Sequence, residues 1–137
     1  MSTLVDSNVL VDIYQPNSAW RAWSAQKLAQ ARIAGRVIIN QLIAAEVAAE
    51  FDSEERYDFA LRAAFLIKED VPWPATFMAG TAHVRYRRSG GSRERTLPDF
   101  LIGAHAMVKN YTLLTRDARR YRAHFPDLDI VAPDTHP

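Results

Sequence analysis

The sequence predicts an α/β fold, a single-domain α/β/α sandwich with a central parallel sheet. Short apolar runs, such as residues 37–39, alternate with longer segments in which apolar residues recur at helical spacing. Strands that alternate with helices pair in parallel, because each helix carries the chain back to the start of the next strand. The length of 137 residues suits one domain, and no repeat or long linker divides it. We therefore expect one domain over residues 1–137.

The first half of the chain predicts two strands, each followed by two helices. Ser7 or Asn8 is placed to cap the first helix, and Gly35 to end the second. Asp12 is expected on the solvent side of the first helix. The predicted strands are residues 2–5 and 37–39, and the predicted helices are residues 9–13, 18–35, 41–51 and about 53–69.

Aromatic residues are frequent on these helices. The second helix is expected to pack through a core stripe formed by Trp20, Trp23, Leu28 and Ile33. The aromatic side chains that could either seal the core or form a groove for a protein partner are Trp20, Trp23, Tyr57 and Phe65.

Proline and glycine delimit the elements of the second half. Pro74 suits the first turn of a helix that ends at Gly90-Gly91, and Pro98 opens another helix. The remaining predicted elements are a strand at 111–115, a short basic helix at 117–124 and a strand at 130–131.

The composition is typical of a globular protein without disulfides. Apolar residues make up 48% of the chain and charged residues 24%. No window approaches the roughly 18 apolar residues of a membrane span, and Asp6 and Asp12 interrupt any signal-peptide pattern. The absence of cysteine excludes disulfides and thiolate metal sites. We expect a cytoplasmic protein.

Arginine supplies most of the positive charge. The net charge is +1, and 14 of the 17 basic residues are arginine. The planar guanidinium group matches the geometry of phosphate. The arginines form two clusters, Arg85, Arg87, Arg88, Arg93 and Arg95, and then Arg116, Arg119, Arg120 and Arg122. These clusters are either solvated helix faces or a track for a phosphate backbone.

Four carboxylates lie where a parallel sheet would bring ligands together. Asp6 and Asp117 follow predicted strands, Asp99 begins a helix, and Glu46 lies among the apolar positions of another helix. Because the carboxyl ends of parallel strands meet at one edge of the sheet, we expect the four acids to converge. Carboxylate oxygens are ligands for hard divalent cations, so the pattern predicts metal-dependent chemistry on phosphates.

Each of these acids also has an interpretation without chemistry. Glu46 could pair with an arginine, and Asp99 and Asp117 stand where acids stabilise helix N-termini. Asn8 could orient Asp6 or a metal-bound water, or could cap the first helix. The residues alone leave these alternatives open.

No other catalytic motif is present in the sequence. None of the four histidines has a partner at the spacing of a zinc-binding helix. Gly90-Gly91 lacks the lysine and hydroxyl residue of a phosphate-binding loop, and no serine stands in a Gly-x-Ser-x-Gly turn. A metal site built from oxygen ligands is the chemistry that remains.

Four segments of the chain resemble the motifs of PIN-domain ribonucleases. They are Val5 to Asp12, Ala45 to Val47, Leu97 to Ala106 and Leu113 to Asp117. The segments occur in the family's order, with α/β alternation between them, and the resemblance runs from residue 3 to about 131. The compact size resembles that of VapC-type toxins from type II toxin–antitoxin pairs.

The resemblance implies a metal-dependent ribonuclease. The acids that match the family's Mg²⁺- or Mn²⁺-binding quartet are Asp6, Glu46, Asp99 and Asp117. Thr115 matches the hydroxyl residue beside the last acid, and Asn8 matches the polar residue after the first. We expect Arg116 to bind the RNA backbone. The resemblance further implies a homodimer, a small antitoxin partner and a structured RNA substrate.

Two other functions are compatible with the residues. A small-molecule phosphohydrolase with an aspartyl nucleophile would need a second aspartate at the position of Asn8. A non-catalytic RNA- or protein-binding PIN-like module would use the acids as caps and ion pairs. A thermal shift with Mn²⁺ discriminates these cases, because a ligand of the native state raises its stability.

Overall fold

A five-stranded parallel sheet forms the centre of the computed structural model, which describes residues 1–93 and 95–137. The strands are β1 (Ser2–Val5), β2 (Arg36–Ile39), β3 (Ile67–Lys68), β4 (Thr112–Leu114) and β5 (Ile130–Val131). The helices are α1 (Ser7–Tyr14), α2 (Arg21–Ala34), α3 (Gln41–Ala48), α4 (Glu54–Ala63), α5 (Trp73–Arg88), α6 (Leu97–Lys109) and α7 (Arg119–Arg122). The predicted α/β/α fold is confirmed.

The strand order β3-β2-β1-β4-β5 places β1 at the centre of the sheet. β1 pairs in parallel with β2 on one side and with β4 on the other, with Leu4 opposite both Ile38 and Leu113. The chain therefore builds the sheet outward in one direction through β3, and then in the other direction from β4. Ligand sites of open α/β sheets form where this direction reverses, at the carboxyl ends of the two strands concerned. Here that point lies between β1 and β4.

The three central strands are apolar because helices cover both faces of the sheet. Leu4, Val5, Leu113 and Leu114 are buried, as is the whole run 37–39. A parallel strand covered on both faces has no solvent side, so its sequence is continuous rather than alternating in hydrophobicity.

The short strand β3 replaces the end of a helix predicted over 53–69. Helix α4 ends at Ala63, and Phe65 adopts a left-handed conformation with φ of 56°. This conformation turns the chain out of the helix, and the N–H group of Leu66 bonds to the carbonyl of Leu61. Ile67 and Lys68 then pair with β2. The helix prediction was wrong beyond residue 63.

The predicted core stripe of α2 is only partly correct. Leu28 is buried and Trp23 half-buried, whereas Trp20 is exposed and Ile33 is 89% exposed. Trp20 precedes the first helical residue. Ile33 lies five residues beyond Leu28, which turns its side chain about 140° away from the packed face. The buried partner of Leu28 on that face is Ser24.

A buried polar network connects α3, α6 and the end of β3. The ring of the fully buried His105 lies 3.0 Å from Asn40 Nδ2 through Nδ1 and 2.7 Å from Glu69 Oε2 through Nε2. Asn40 Oδ1 accepts from the N–H of Ile43, so its amide nitrogen faces the ring and His105 donates through Nε2. The Tyr111 hydroxyl donates to Glu69 Oε1 at 2.8 Å. Burial alone would raise the pKa of Glu69, but these hydrogen bonds outweigh it and lower the pKa.

The helices among the described residues lack the combined length and apolar character needed to cross a bilayer.

Candidate active site

The candidate site lies at the carboxyl ends of β1 and β4, where the sheet reverses its direction of growth. The N–H of Asp6 donates to the carbonyl of Leu114 at 2.8 Å, which continues the β1–β4 ladder beyond both strands. Asp6 and Thr115 consequently lie side by side. Asp6 and Thr115 therefore lie at the edge of the sheet where ligand sites of open α/β folds form.

Asp6 is a buried carboxylate surrounded by neutral donors. Its Oδ1 accepts from the N–H of Ser7 at 2.8 Å, and its Oδ2 accepts from Thr115 Oγ1 at 2.9 Å and from the Tyr121 hydroxyl at 2.8 Å. A longer contact of 3.4 Å comes from the Asn8 amide. Burial raises the pKa of Asp6 above its usual value despite these donors. Its negative charge is therefore held without a directly bonded cation among the described residues.

Tyr121 is the site residue that sequence analysis missed. It lies on α7 between basic residues and is completely buried, with its hydroxyl on Asp6. Burial, followed by the charge of Asp6, raises the pKa of Tyr121 well above its usual value, so the hydroxyl stays protonated and donates. A single aromatic residue in a helix of arginines was the signal that this helix has a buried face.

Asn8 and Thr115 hold the two strand ends together. Asn8 Nδ2 lies 3.3 Å from Thr115 Oγ1, and Asn8 Oδ1 accepts from the N–H of Arg116 at 3.1 Å. Thr115 is fully buried, and its Oγ1 donates to Asp6 while accepting from the N–H of Asp117 at 3.0 Å. Asp6, rather than Ser7 or Asn8, is the N-cap of α1. The prediction that Asn8 caps this helix is wrong. Its side chain instead contacts Thr115 and the N–H of Arg116.

Glu46 projects from α3 at the edge of the site. Its Oε2 accepts from Ser7 Oγ at 3.2 Å, and its side chain makes no ion pair with a described residue. Partial burial, followed by the negative charge of Asp6, raises the pKa of Glu46. The charge of Asp99 adds to this effect. Because Ser7 donates to both Asp6 and Glu46, these two carboxylates lie at the same end of the sheet, and the charge of Asp99 is near enough to affect the pKa of Glu46.

Asp99 and Asp117 complete the predicted quartet and share one arginine. Asp99 Oδ2 accepts from the N–H of Thr96 at 3.2 Å, as in a capping box, so the capping interpretation of Asp99 holds. Asp99 Oδ1 lies 3.5 Å from Arg120 Nη1, and Asp117 Oδ2 accepts from Arg120 Nε at 2.9 Å. Burial alone would lower the pKa of Arg120, but the two carboxylates outweigh it and raise the pKa.

Arg116 is held by an aspartate that was expected on the surface. Its guanidinium donates through Nε to Asp12 Oδ2 at 2.8 Å and through Nη2 to Asp12 Oδ1 at 3.2 Å. Asp12 is only 3% exposed and also accepts from Ser18 and Ser24. The surface prediction for Asp12 is wrong, because the segment after α1 and the start of α2 cover that side of the helix. Arg116 retains 34% exposure at the rim of the site.

The donor chemistry of the site fits a hydrated divalent cation. Among the residues that the structure describes, no three acidic or histidine side chains are close enough to enclose an ion directly. Mg²⁺, however, is usually held by one or two carboxylates and keeps several waters, so a compact cage is not required. The four carboxylates are hard oxygen ligands, and two of them already bind a cation, the Arg120 guanidinium. The residues that would hold such an ion are Asp6, Glu46, Asp99 and Asp117.

Comparison with known proteins agrees with this architecture. The family model of the PIN domain matches residues 3–126. No curated protein sequence matches the chain. The fold is similar to that of VapBC2 from Rickettsia felis bound to a promoter DNA fragment, with a TM-score of 0.71, 20% identity, and coverage of 96% of this chain and 98% of the other.

Two further solved structures have the same fold. A toxin–antitoxin complex from Klebsiella pneumoniae matches with a TM-score of 0.68 and 23% identity over 96% of this chain and 97% of the other. VapC20 from Mycobacterium tuberculosis, a sarcin–ricin loop cleaving toxin, matches with a TM-score of 0.68 and 15% identity over 88% and 94% of the two chains. The predicted resemblance is confirmed, and the chain belongs to the PIN-domain family.

Proposed function

We propose that this chain is a metal-dependent endoribonuclease and the toxin of a toxin–antitoxin pair. The observation that carries the proposal is the buried Asp6 carboxylate at the reversal point of the sheet, which shares Ser7 as a hydrogen-bond donor with Glu46. A buried charge with only neutral donors is costly unless a cation compensates it. Membership of the PIN-domain family supports nuclease chemistry at this place.

In the proposed reaction, water attacks a phosphodiester and the bond from phosphorus to the leaving ribose oxygen breaks. A bound Mg²⁺ or Mn²⁺ would lower the pKa of the attacking water and neutralise charge on the phosphate. Asp6 and Asp99 are the direct ligands that we propose, with Glu46 and Asp117 acting through water or on a second ion. Thr115 and Tyr121 keep the Asp6 carboxylate in one orientation through their hydroxyl groups.

The proposed substrate is a structured RNA. VapC20, which has the same fold, is a sarcin–ricin loop cleaving toxin. RNA loops present unstacked bases and phosphates that a shallow site can reach. Arg116, held at the rim by Asp12, is proposed to contact the RNA backbone without reading its sequence.

We also propose a small antitoxin protein as partner, as in the Klebsiella pneumoniae complex. Trp20 and Phe65 are exposed, while Trp23 and Tyr57 are half-buried, so part of the aromatic set remains available for protein contact. A basic side chain of such a partner would be attracted to the site acids. Co-purification with a small protein from the same operon would support this partner, and a native pull-down that lacks it would count against it.

A second copy of the chain is the other partner that we propose. Helix α5 exposes Trp73, Phe77 and Val84, with Trp73 84% exposed. Their spacing of four and seven residues places them on one face of the helix. An exposed apolar face of this kind marks a protein interface, and symmetric pairing is the commonest way to cover it. Sedimentation of the purified chain, which gives its mass in solution, tests the homodimer.

Cleavage of total cellular RNA by the purified chain tests the ribonuclease proposal. We expect discrete fragments with Mg²⁺ or Mn²⁺, none with chelator, and a loss of more than about a hundredfold for Asp99→Asn, since even the partners of metal ligands cost about 10- to 100-fold. Asp127→Asn is the matched control, because Asp127 is exposed and no hydrogen bond or ion pair joins it to the described acids. Cleavage that persists with chelator or in Asp99→Asn would refute the proposal. RNA binding without cleavage would instead indicate a non-catalytic binding module.

A further inference from the structure

Arg120 occupies the space between two of the four site acids. Its guanidinium lies 3.5 Å from Asp99 Oδ1 through Nη1 and 2.9 Å from Asp117 Oδ2 through Nε. Two other arginines of this region form ion pairs elsewhere: Arg116 pairs with Asp12, and Arg122 pairs with Asp134. Among the described residues, the ion pairs to Asp99 and Asp117 come from Arg120.

The geometry of α7 keeps Arg120 in this place. Tyr121, the next residue, is buried with its hydroxyl on Asp6, so α7 cannot rotate without breaking that bond. Asp117 lies three residues before Arg120 in the turn that leads into α7, and its carboxylate accepts from Arg120 Nε. Asp99 comes from the first turn of α6 and approaches from the other side. Helix α6 and the region of α7 thus hold one cation beside Asp99 and Asp117.

The charge of Arg120 acts on all four acids. Its two ion pairs neutralise part of the charge of Asp99 and Asp117 directly. Its charge also favours the ionised form of Glu46, and the charge of Asp6 in turn contributes to the raised pKa of Arg120. A divalent cation at the same carboxylates would meet this positive charge at close range and would be repelled by it.

We propose that Arg120 is an internal counter-cation of the acidic site, which competes with divalent metal ions for Asp99 and Asp117 and turns away when an ion binds. The inference rests on the metal site of the proposed function. It goes beyond that function because it assigns the metal-free site a cation of its own, the guanidinium of Arg120.

The structure has room for the displaced side chain. A cavity of about 390 Å³ adjoins the site and is lined by Arg95, Asp117, Arg119 and Arg120. Arg95 is anchored at its wall by a hydrogen bond of 2.9 Å to the carbonyl of Arg119. The proposal places the displaced guanidinium in this cavity, which the side chain of Arg120 already lines.

Mn²⁺ titration of the full-length, metal-free chain tests the proposal by calorimetry. We expect Arg120→Met to bind Mn²⁺ about five- to tenfold more tightly than the wild type, because two partly exposed ion pairs no longer have to be broken. Arg119→Met is the matched control, since it removes an adjacent exposed arginine without an ion pair to these acids, and its affinity should stay within about twofold of the wild type. Asp99→Asn should bind more weakly than the wild type.

The outcomes separate this inference from the proposed ribonuclease. Equal Mn²⁺ affinity in the wild type and Arg120→Met, with loss in Asp99→Asn, would overturn the counter-cation and leave the metal site intact. Tighter Mn²⁺ binding by Arg120→Met, together with no RNA cleavage by the wild type, would support the counter-cation and refute the ribonuclease proposal. The absence of Mn²⁺ binding in every variant would overturn both. Arg120→Gln, which removes the charge and keeps a polar side chain, gives the same comparison if Arg120→Met does not fold.

Discussion

Replacement of Asp12 by alanine is the sharpest test of how this structure holds its site. Asp12 accepts four hydrogen bonds, two from Arg116 and one each from Ser18 and Ser24. Ser24 is completely buried, so Asp12→Ala leaves its hydroxyl without this acceptor. Arg116 also loses the carboxylate that orients it beside Asn8. The variant removes one end of a nearly buried ion pair and leaves the other end in place.

The expected loss in the free energy of unfolding is about 3 kcal/mol. Breaking a buried ion pair by removing one partner costs about 3–5 kcal/mol, because a charge is left uncompensated. Arg116 retains 34% exposure and can be hydrated in the variant, which places the loss at the lower end of that range. A surface aspartate, as the helical pattern predicted for Asp12, would cost about 0.5 kcal/mol or less. The two interpretations therefore differ by about sixfold in a measurable quantity.

Urea unfolding of the metal-free chain measures this loss. We expect the midpoint to fall with an unchanged slope, since the surface exposed on unfolding stays the same. Asp127→Ala, at an exposed aspartate, is the control and should lie within about 0.5 kcal/mol of the wild type. A double-mutant cycle with Arg116→Met should give a coupling energy of about 1–2 kcal/mol. A loss below about 0.5 kcal/mol in Asp12→Ala, or no coupling to Arg116, would refute the assignment of Asp12 as a buried anchor.

Two further predictions concern pH. Tyr121→Phe removes a donor from the ionised Asp6, whose pKa is raised by burial, so we expect a loss of about 1–2 kcal/mol near pH 7. This loss should become smaller as the pH falls through the raised pKa of Asp6 and its carboxylate becomes protonated. A series of urea unfolding curves from pH 7 downward measures this, and a constant loss would contradict it. The lowered pKa of Glu69 stabilises the fold above its ordinary pKa of 4.5, and this contribution disappears as the pH falls through the lowered value. Glu69→Gln should therefore be about 1–2 kcal/mol less stable near pH 7, with a difference that shrinks below about pH 4.5; a constant difference would be inconsistent with this linkage.

Sequence patterns were sufficient for the alternation of elements and for the position of Asp6. An uninterrupted apolar run predicts a strand covered on both faces, and an aspartate directly after it must lie at the carboxyl end of the sheet. Both inferences are local, because they need only the residues of one segment and its immediate neighbours. The metal-binding roles of Asp6, Glu46, Asp99 and Asp117 remain predictions.

Local patterns failed where a distant segment decides the environment. Asp12 has a solvent-side helical phase, yet the start of α2 and Arg116, 104 residues later, bury it. Phe65 leaves the helix through a positive φ that allows β3 to join β2, although helical periodicity continues through the segment. No pattern within α7 shows that Tyr121 reaches Asp6 across 115 residues of chain.

The sequence by itself determined most of the strands and helices, β3 and the end of α4 excepted, and which acids stand at their ends. The order of the strands was decided by tertiary structure, because pairing of β1 with β4 depends on how helices from the whole chain pack on the sheet. That pairing creates the reversal point, places Thr115 and Tyr121 on Asp6, and sets Arg120 between Asp99 and Asp117. Hydrophobic periodicity indicates which face of each segment packs against the core. The partners of a polar side chain, in contrast, come from segments far apart in the chain.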